Sequence, residues 1–160
     1  MEQTLRKIQF TDSVPVLMLP SQQKQLLVPN VNVAEFVVIS TVQPLASAPP
    51  WMLGLIDWRG QKVPLISFER LNGDADDLVE DMGHVAILNG IGGREELPFY
   101  GIRCSGMPRQ ARILEEDVAR DDTAVPGHVE SSQVLLAGEA AVIPDLVVIE
   151  AQICRVLMNQ

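Results

Sequence analysis

Few residues in this 160-residue chain are spaced for covalent chemistry. The two histidines, His84 and His128, stand in no recognised ligand spacing with Cys, Asp or Glu. Cys104 and Cys154 lie far apart, with no CxxC pair, and read as buried thiols of a reducing compartment. No GxSxG nucleophile turn occurs. Gly90-Ile91-Gly92-Gly93 follows an apolar run, as a phosphate loop would. It lacks the Lys-Ser/Thr of such loops, and Arg94–Tyr100 after it reads as strand, so a mobile hairpin loop is the expectation. The paired acids Glu115 and Glu116 sit in a polar context that gives no reason for raised proton affinity. The sequence therefore predicts no catalytic residue, no cofactor and no metal. The competing enzyme reading, a small acidic protein binding a ligand at the glycine loop, rests on Gly90–Gly93 alone.

The chemistry that remains is recognition, and it centres on Trp58-Arg59-Gly60. Leu53, Leu55 and Ile56 lead into this corner, and Val63, Leu65 and Ile66 lead out. The pattern predicts two strands and a tight turn, with Gly60 taking the positive φ that closes it. Gly54 reads as a second backbone-geometry position. An Arg at such a corner offers a rigid fork of donors, to fix the junction between subdomains or to meet a partner's carboxylates; an ordinary exposed hairpin arginine is the plainer alternative. Trp51 and Trp58 carry much of the scarce aromatic area, and a corner position gives Trp58 a route to an interface.

The elements that must hold this corner are short. Apolar runs at Val14–Leu19, Leu26–Val28, Phe36–Thr41, Leu53–Ile56 and Val63–Ile66 fill the first half. Runs at His84–Leu88, Leu97–Cys104, Gln110–Leu114, Val129–Leu136 and Glu139–Ile143 fill the second. Their length and β-branched content predict strands of small barrels or sandwiches. One helix is expected over 145–158, with Pro144 at its start, and a short helical turn near Val31–Ala34. Between the halves, Asp74–Asp81 carries five carboxylates, which predicts an exposed acidic linker over 74–83. A second loop is expected over Glu115–Gly127. A faint repeat joins the halves: Gly60 precedes Val63, Leu65 and Phe68 as Gly138 precedes Ala141, Ile143 and Leu146. Two similar β subdomains in tandem, 12–73 and 84–144, fit this pattern. The net charge of −9 argues against nucleic-acid binding and disfavours anionic membranes. No apolar run reaches the ~18 residues of a membrane span, and no signal peptide is evident, so a cytoplasmic protein without membrane insertion is expected.

The stretch from Pro50 to Phe68 resembles the signature of the CheW-like family: Pro, Gly, two apolar residues, Arg-Gly, then an apolar-Pro-apolar strand centred on Pro64. Val33-Ala34-Glu35-Phe36 resembles the family's Val-x-Glu-apolar segment. Tyr100-Gly101-Ile102-Arg103 and Ile143-Pro144-Asp145-Leu146 resemble its later strand motifs, with Ser67 and Ser105 where most members carry Asp. The resemblance implies an all-β fold of two SH3-like, five-stranded barrel subdomains around a shared core, with a short C-terminal helix. It implies a non-enzymatic chemotaxis adaptor whose partners are a CheA-type histidine kinase, through its regulatory domain, and the cytoplasmic tip of a methyl-accepting chemoreceptor. An accessory adaptor that binds array proteins without activating the kinase is the alternative. The expected partner-binding residues are Val33, Glu35, Phe36, Trp58 and Arg59, with Gly54, Gly60, Pro64 and Gly101 as framework. Leu26–Glu35 looks most like the ChpC-type branch of type IV pilus systems, which govern twitching motility.

Overall fold

The computed structural model describes residues 13–22, 24–75 and 83–160. These residues form β1 (Val14–Pro20), β2 (Gln25–Pro29), β3 (Val33–Val38), β4 (Met52–Trp58), β5 (Gln61–Ile66) and α1 (Phe68–Asn72). There follow β6 (His84–Asn89), β7 (Phe99–Arg103), β8 (Arg109–Ile113), β9 (Val118–Arg120), β10 (Glu130–Leu136), β11 (Glu139–Pro144) and α2 (Leu146–Met158). One sheet has the order β8-β1-β2-β11-β10-β9, the other β3-β6-β7-β5-β4. The fold is thus mostly β, with two SH3-like barrel subdomains and one C-terminal helix, and the first sheet carries a sixth strand, β9.

The alternation of side chains explains three cores. On β1, Val16 and Met18 enter the interior of the first barrel, whereas Leu17 and Leu19 enter a core shared by both barrels. On β6, Val85 and Ile87 fill the second barrel, and Ala86 and Leu88 face the shared core. A strand buried on both faces reads as a continuous apolar run, because successive side chains point in opposite directions. Phe68 and Leu71 of α1 and Leu146, Ile149 and Ile153 of α2 complete the shared core. The three-four spacing on α2 is what lets one helix stripe seal it.

The repeat is geometric. Arg59-Gly60 and Ala137-Gly138 both form hairpin corners with positive φ at both residues. Each hairpin carries a bulge at the same distance before its turn, Met52/Gly54 in one and Glu130/Ser132 in the other. Each ends in a side-chain-capped helix: the amide of Arg70 donates to Ser67 Oγ at 3.2 Å, and that of Val148 to Asp145 Oδ1 at 3.1 Å. Serine thus caps at Ser67 where the family pattern has a carboxylate.

The sheets do not follow the sequence halves 12–73 and 84–144. β1 and β2 join β8–β11, while β6 and β7 join β3–β5. Each half gives its first two strands to one barrel and its remainder to the other, and the parallel pairs β2·β11 and β5·β7 stitch the pieces together. Residues 74–83 therefore separate repeats, not barrels. Of this segment, residues 76–82 lie outside the described residues. Asp74, expected in an unopposed acidic run, is held by Lys24 at 3.1 Å. Glu130, whose side chain is fully buried, joins the same Lys24 at 2.6 Å and accepts from Asn72 of α1 and from Gln133.

Other expectations shift locally. The helical turn near Val31–Ala34 is a 3-10 turn at Asn30–Asn32, and Val33 and Ala34 already belong to β3. Pro144 ends β11, and Asp145 caps the helix that begins at Leu146. Within the loop expected over 115–127, Glu115–Asp117 is a 3-10 turn and β9 pairs with β10.

Candidate functional site

The β4–β5 corner builds a compact constellation. Gly60 at φ 78 closes the turn, and Arg59 is carried at φ 49, a left-handed conformation that non-glycine residues adopt at a cost. Arg59 Nη2 lies 2.5 Å and Nε 3.2 Å from Glu35 Oε1 on β3. The guanidinium carbon sits 5.2 Å from the Trp58 ring centroid, and Trp58 meets Phe99 edge-on at 4.8 Å. Trp58 is only 8% exposed, so it is a platform under the arginine, and the face offered outward is Arg59, whose side chain is 68% exposed. The hydrogen bond from Arg59 holds the Glu35 carboxyl below its usual range. Beside the corner, Lys62 and Asp57 pair across the hairpin at 2.7 Å.

The framework glycines earn their places by different means. A Cβ on Gly54 would come within 2.2 Å of the Gln43 carbonyl oxygen, where residue 43 bridges to Leu55. A Cβ on Gly101 would press the Val85 and Leu65 side chains inside the barrel. Pro64 is buried on β5 opposite Leu55, one residue before the parallel pairing with β7 begins.

The five expected contact residues do not form one patch. Val33 and Phe36 are half-buried against the shared core, with the Phe36 ring 6.0 Å from His84. Glu35 turns instead to the Trp58–Arg59 corner. A bulge between Val33 and Glu35 accompanies this change of side. Beyond Val33, the chain exposes Val31 in the 3-10 turn and Ile91 in the glycine loop. Asn89 donates to the Val31 carbonyl at 3.3 Å and so ties that turn to the end of β6, where the glycine loop begins. Val31, Val33 and Ile91 thus lie around the joint between the start of β3 and the end of β6.

The glycine loop is not poised for a phosphate. The amides of Ile91 and Gly92 both donate at 3.0 Å to the carboxylate of Glu150 on α2, which also accepts from Tyr100 Oη at 3.3 Å. Burial, together with the nearby Glu150 charge, pushes the Tyr100 hydroxyl well above its ordinary value and keeps it protonated. An internal acid thus occupies the anion-binding amides on which the enzyme reading depended. Burial likewise pushes the Cys104 thiol up to about 12, so it is an unreactive core group. A cavity of about 360 Å³ in the second barrel is bordered by Ser40, Pro50, Met52, Leu53, Arg70 and Arg103.

Sequence reasoning missed Glu150 and Phe99. Glu150 had a readable signal: it is a charged residue on the buried stripe of α2, between Ile149 and Ile153. Phe99 gave none, since only folding brings β7 under the corner.

Paired SH3-like barrels, an exposed arginine corner and the apolar residues around the β3–β6 joint define a protein-recognition scaffold. The comparisons agree with that class. The profile of the CheW-like domain matches residues 15–152, and the chain belongs to the CheW-like family. The scaffolding protein TtCheW from Thermoanaerobacter tengcongensis has a similar structure, with a TM-score of 0.69 at 12% identity over 83% of this chain and 89% of that one. No curated protein matches the sequence.

Proposed function

We propose that this protein is a non-enzymatic chemosensory coupler that holds a CheA-type histidine kinase and a chemoreceptor tip in one array, in the cytoplasm. A coupler must bind both partners at once, so it needs two faces that do not overlap. The observation that carries the reading is that Glu35 turns to the Arg59 corner over Trp58 while Val33 turns toward the shared core, which offers two places for contact. We assign the charged corner to the regulatory domain of the kinase, where a fixed guanidinium meets carboxylates, and the place at Val33 to the receptor tip, where apolar contacts supply the affinity. Coupling then arises from holding both partners in fixed geometry. The family match supports the adaptor role, and Leu26–Glu35 supports a type IV pilus system over a flagellar one. Binding of each purified partner fragment, measured separately by calorimetry, tests the reading. Saturable binding of both supports it. Binding of array proteins with no effect on kinase activity would make the protein an accessory adaptor instead.

A further inference from the structure

We infer that Glu150 is a positioning residue for the receptor face: it clamps the Gly90–Gly93 loop so that Ile91 is held in one conformation just past the Asn89–Val31 tie. This rests on the coupler reading above. Glu150 is 1% exposed and lies on the α2 stripe that seals the shared core. A carboxylate there is expensive to desolvate, and an aliphatic residue would pack the stripe at no such cost. What the carboxylate does is take the amide hydrogens of Ile91 and Gly92, leaning on the Tyr100 hydroxyl behind it. Gly92 permits the approach, since a Cβ there would lie 3.3 Å from Glu150 Oε1. A glycine-rich connection that would otherwise sample many conformations is thereby fixed in one. The side chain it presents, Ile91, is 47% exposed, and Val31 across the junction is 79% exposed. An apolar contact already ordered before docking binds more tightly than one ordered on docking, because the entropy loss is taken in folding.

The chemistry of the clamp separates two substitutions. Glu150→Gln keeps an acceptor oxygen for the Ile91 and Gly92 amides and places its amide group toward Tyr100 Oη, which can accept. Glu150→Ala removes every acceptor. The proposal expects Glu150→Ala to speed hydrogen exchange at the Ile91 and Gly92 amides while β6 and β7 stay protected. It expects affinity for a chemoreceptor-tip fragment to fall about tenfold, with affinity for the kinase regulatory domain unchanged. Glu150→Gln should retain both. Ile91→Ser should reproduce the loss, and adding Glu150→Ala to Ile91→Ser should cost nothing more. Tip binding unchanged in Ile91→Ser overturns the proposal, as does a Glu150→Ala variant with a loosened loop and normal tip affinity, or equal losses for both partners. If Glu150→Ala does not fold, Ile91→Ser alone decides, a tenfold loss supporting and no loss overturning. If the unaltered protein binds neither fragment, the coupler reading itself falls and takes this inference with it; normal binding with a silent Ile91→Ser removes only the inference.

Discussion

Arg59 sits where local stability favours another residue. Two-residue hairpin corners with positive φ at both positions prefer Asn-Gly, and Arg59 is the first of the pair. Its conformation costs on the order of 1 kcal/mol, and the interaction returned is an exposed ion pair laid over an indole. A residue kept against local preference points to a role outside the fold. Arg59→Asn is therefore expected to melt at the same temperature or slightly higher, yet to bind the kinase regulatory domain at least about tenfold more weakly. A lower melting temperature with unchanged binding would make Arg59 structural. The pair should also persist in acid. Glu35 has a folded-state proton affinity below its ordinary value, so whatever the pair contributes is complete above the ordinary glutamate range and is lost as pH falls through the lower folded value. Kinase binding titrated downward from neutral pH should stay flat until that lower range is entered. Loss already near pH 6 would implicate a different group.

At the scale of elements, Lys24 before β2, Asn72 of α1 and Glu130 of β10 meet in one polar joint. Burial alone would raise the proton affinity of Glu130, but Lys24, the Gly127 amide, Asn72 and Gln133 outweigh it and lower the value. Its stabilising effect is therefore complete above the ordinary glutamate range and is lost as pH falls through the folded-state value. Lys24→Met is expected to cost about 2 kcal/mol, less than a fully buried pair because Lys24 is partly exposed and Asn72 and Gln133 remain. The cost should vanish as acid neutralises Glu130 in both proteins, which paired melts across pH would show. A cost that persists unchanged in acid would mean that Lys24 acts by packing. The strands around this joint were legible from their apolar runs, since a strand buried on both faces leaves a continuous apolar trace. β9 and α1 were not. A three-residue edge strand and a five-residue helix each span fewer than two hydrophobic periods, too few to leave a pattern, and α1 showed only its caps, Ser67 and Gly73 at φ 84. The glycine loop was read as mobile because its acceptor, Glu150, lies far along the chain.

For the whole molecule, the repeat was visible in the spacing after Gly60 and Gly138, but the exchange of strands between repeats was not. Alternating side chains specify that a strand is buried on two faces; they do not say which half supplies its neighbour. The exchange has a direct consequence. Residues 13–75 and 83–160, expressed separately, should each be unfolded, because each lacks strands from both sheets. Mixing them should restore native circular dichroism, and a half that folds alone would contradict the strand order described here. The same arrangement places the charged corner at the β4–β5 turn and the residues Val31, Val33 and Ile91 around the joint of β3 and β6, and the account stands on those faces being independent. The decisive measurement is a calorimetric titration of this protein with the kinase regulatory domain and a chemoreceptor-tip fragment, alone and together, repeated for Arg59→Glu and Val33→Asp. The account predicts a ternary complex. Arg59→Glu should lose only the kinase, Val33→Asp should lose only the receptor tip, and the tip affinity should change little as salt is raised. Competition between the two partners for one surface, or loss of both on either substitution, would contradict it.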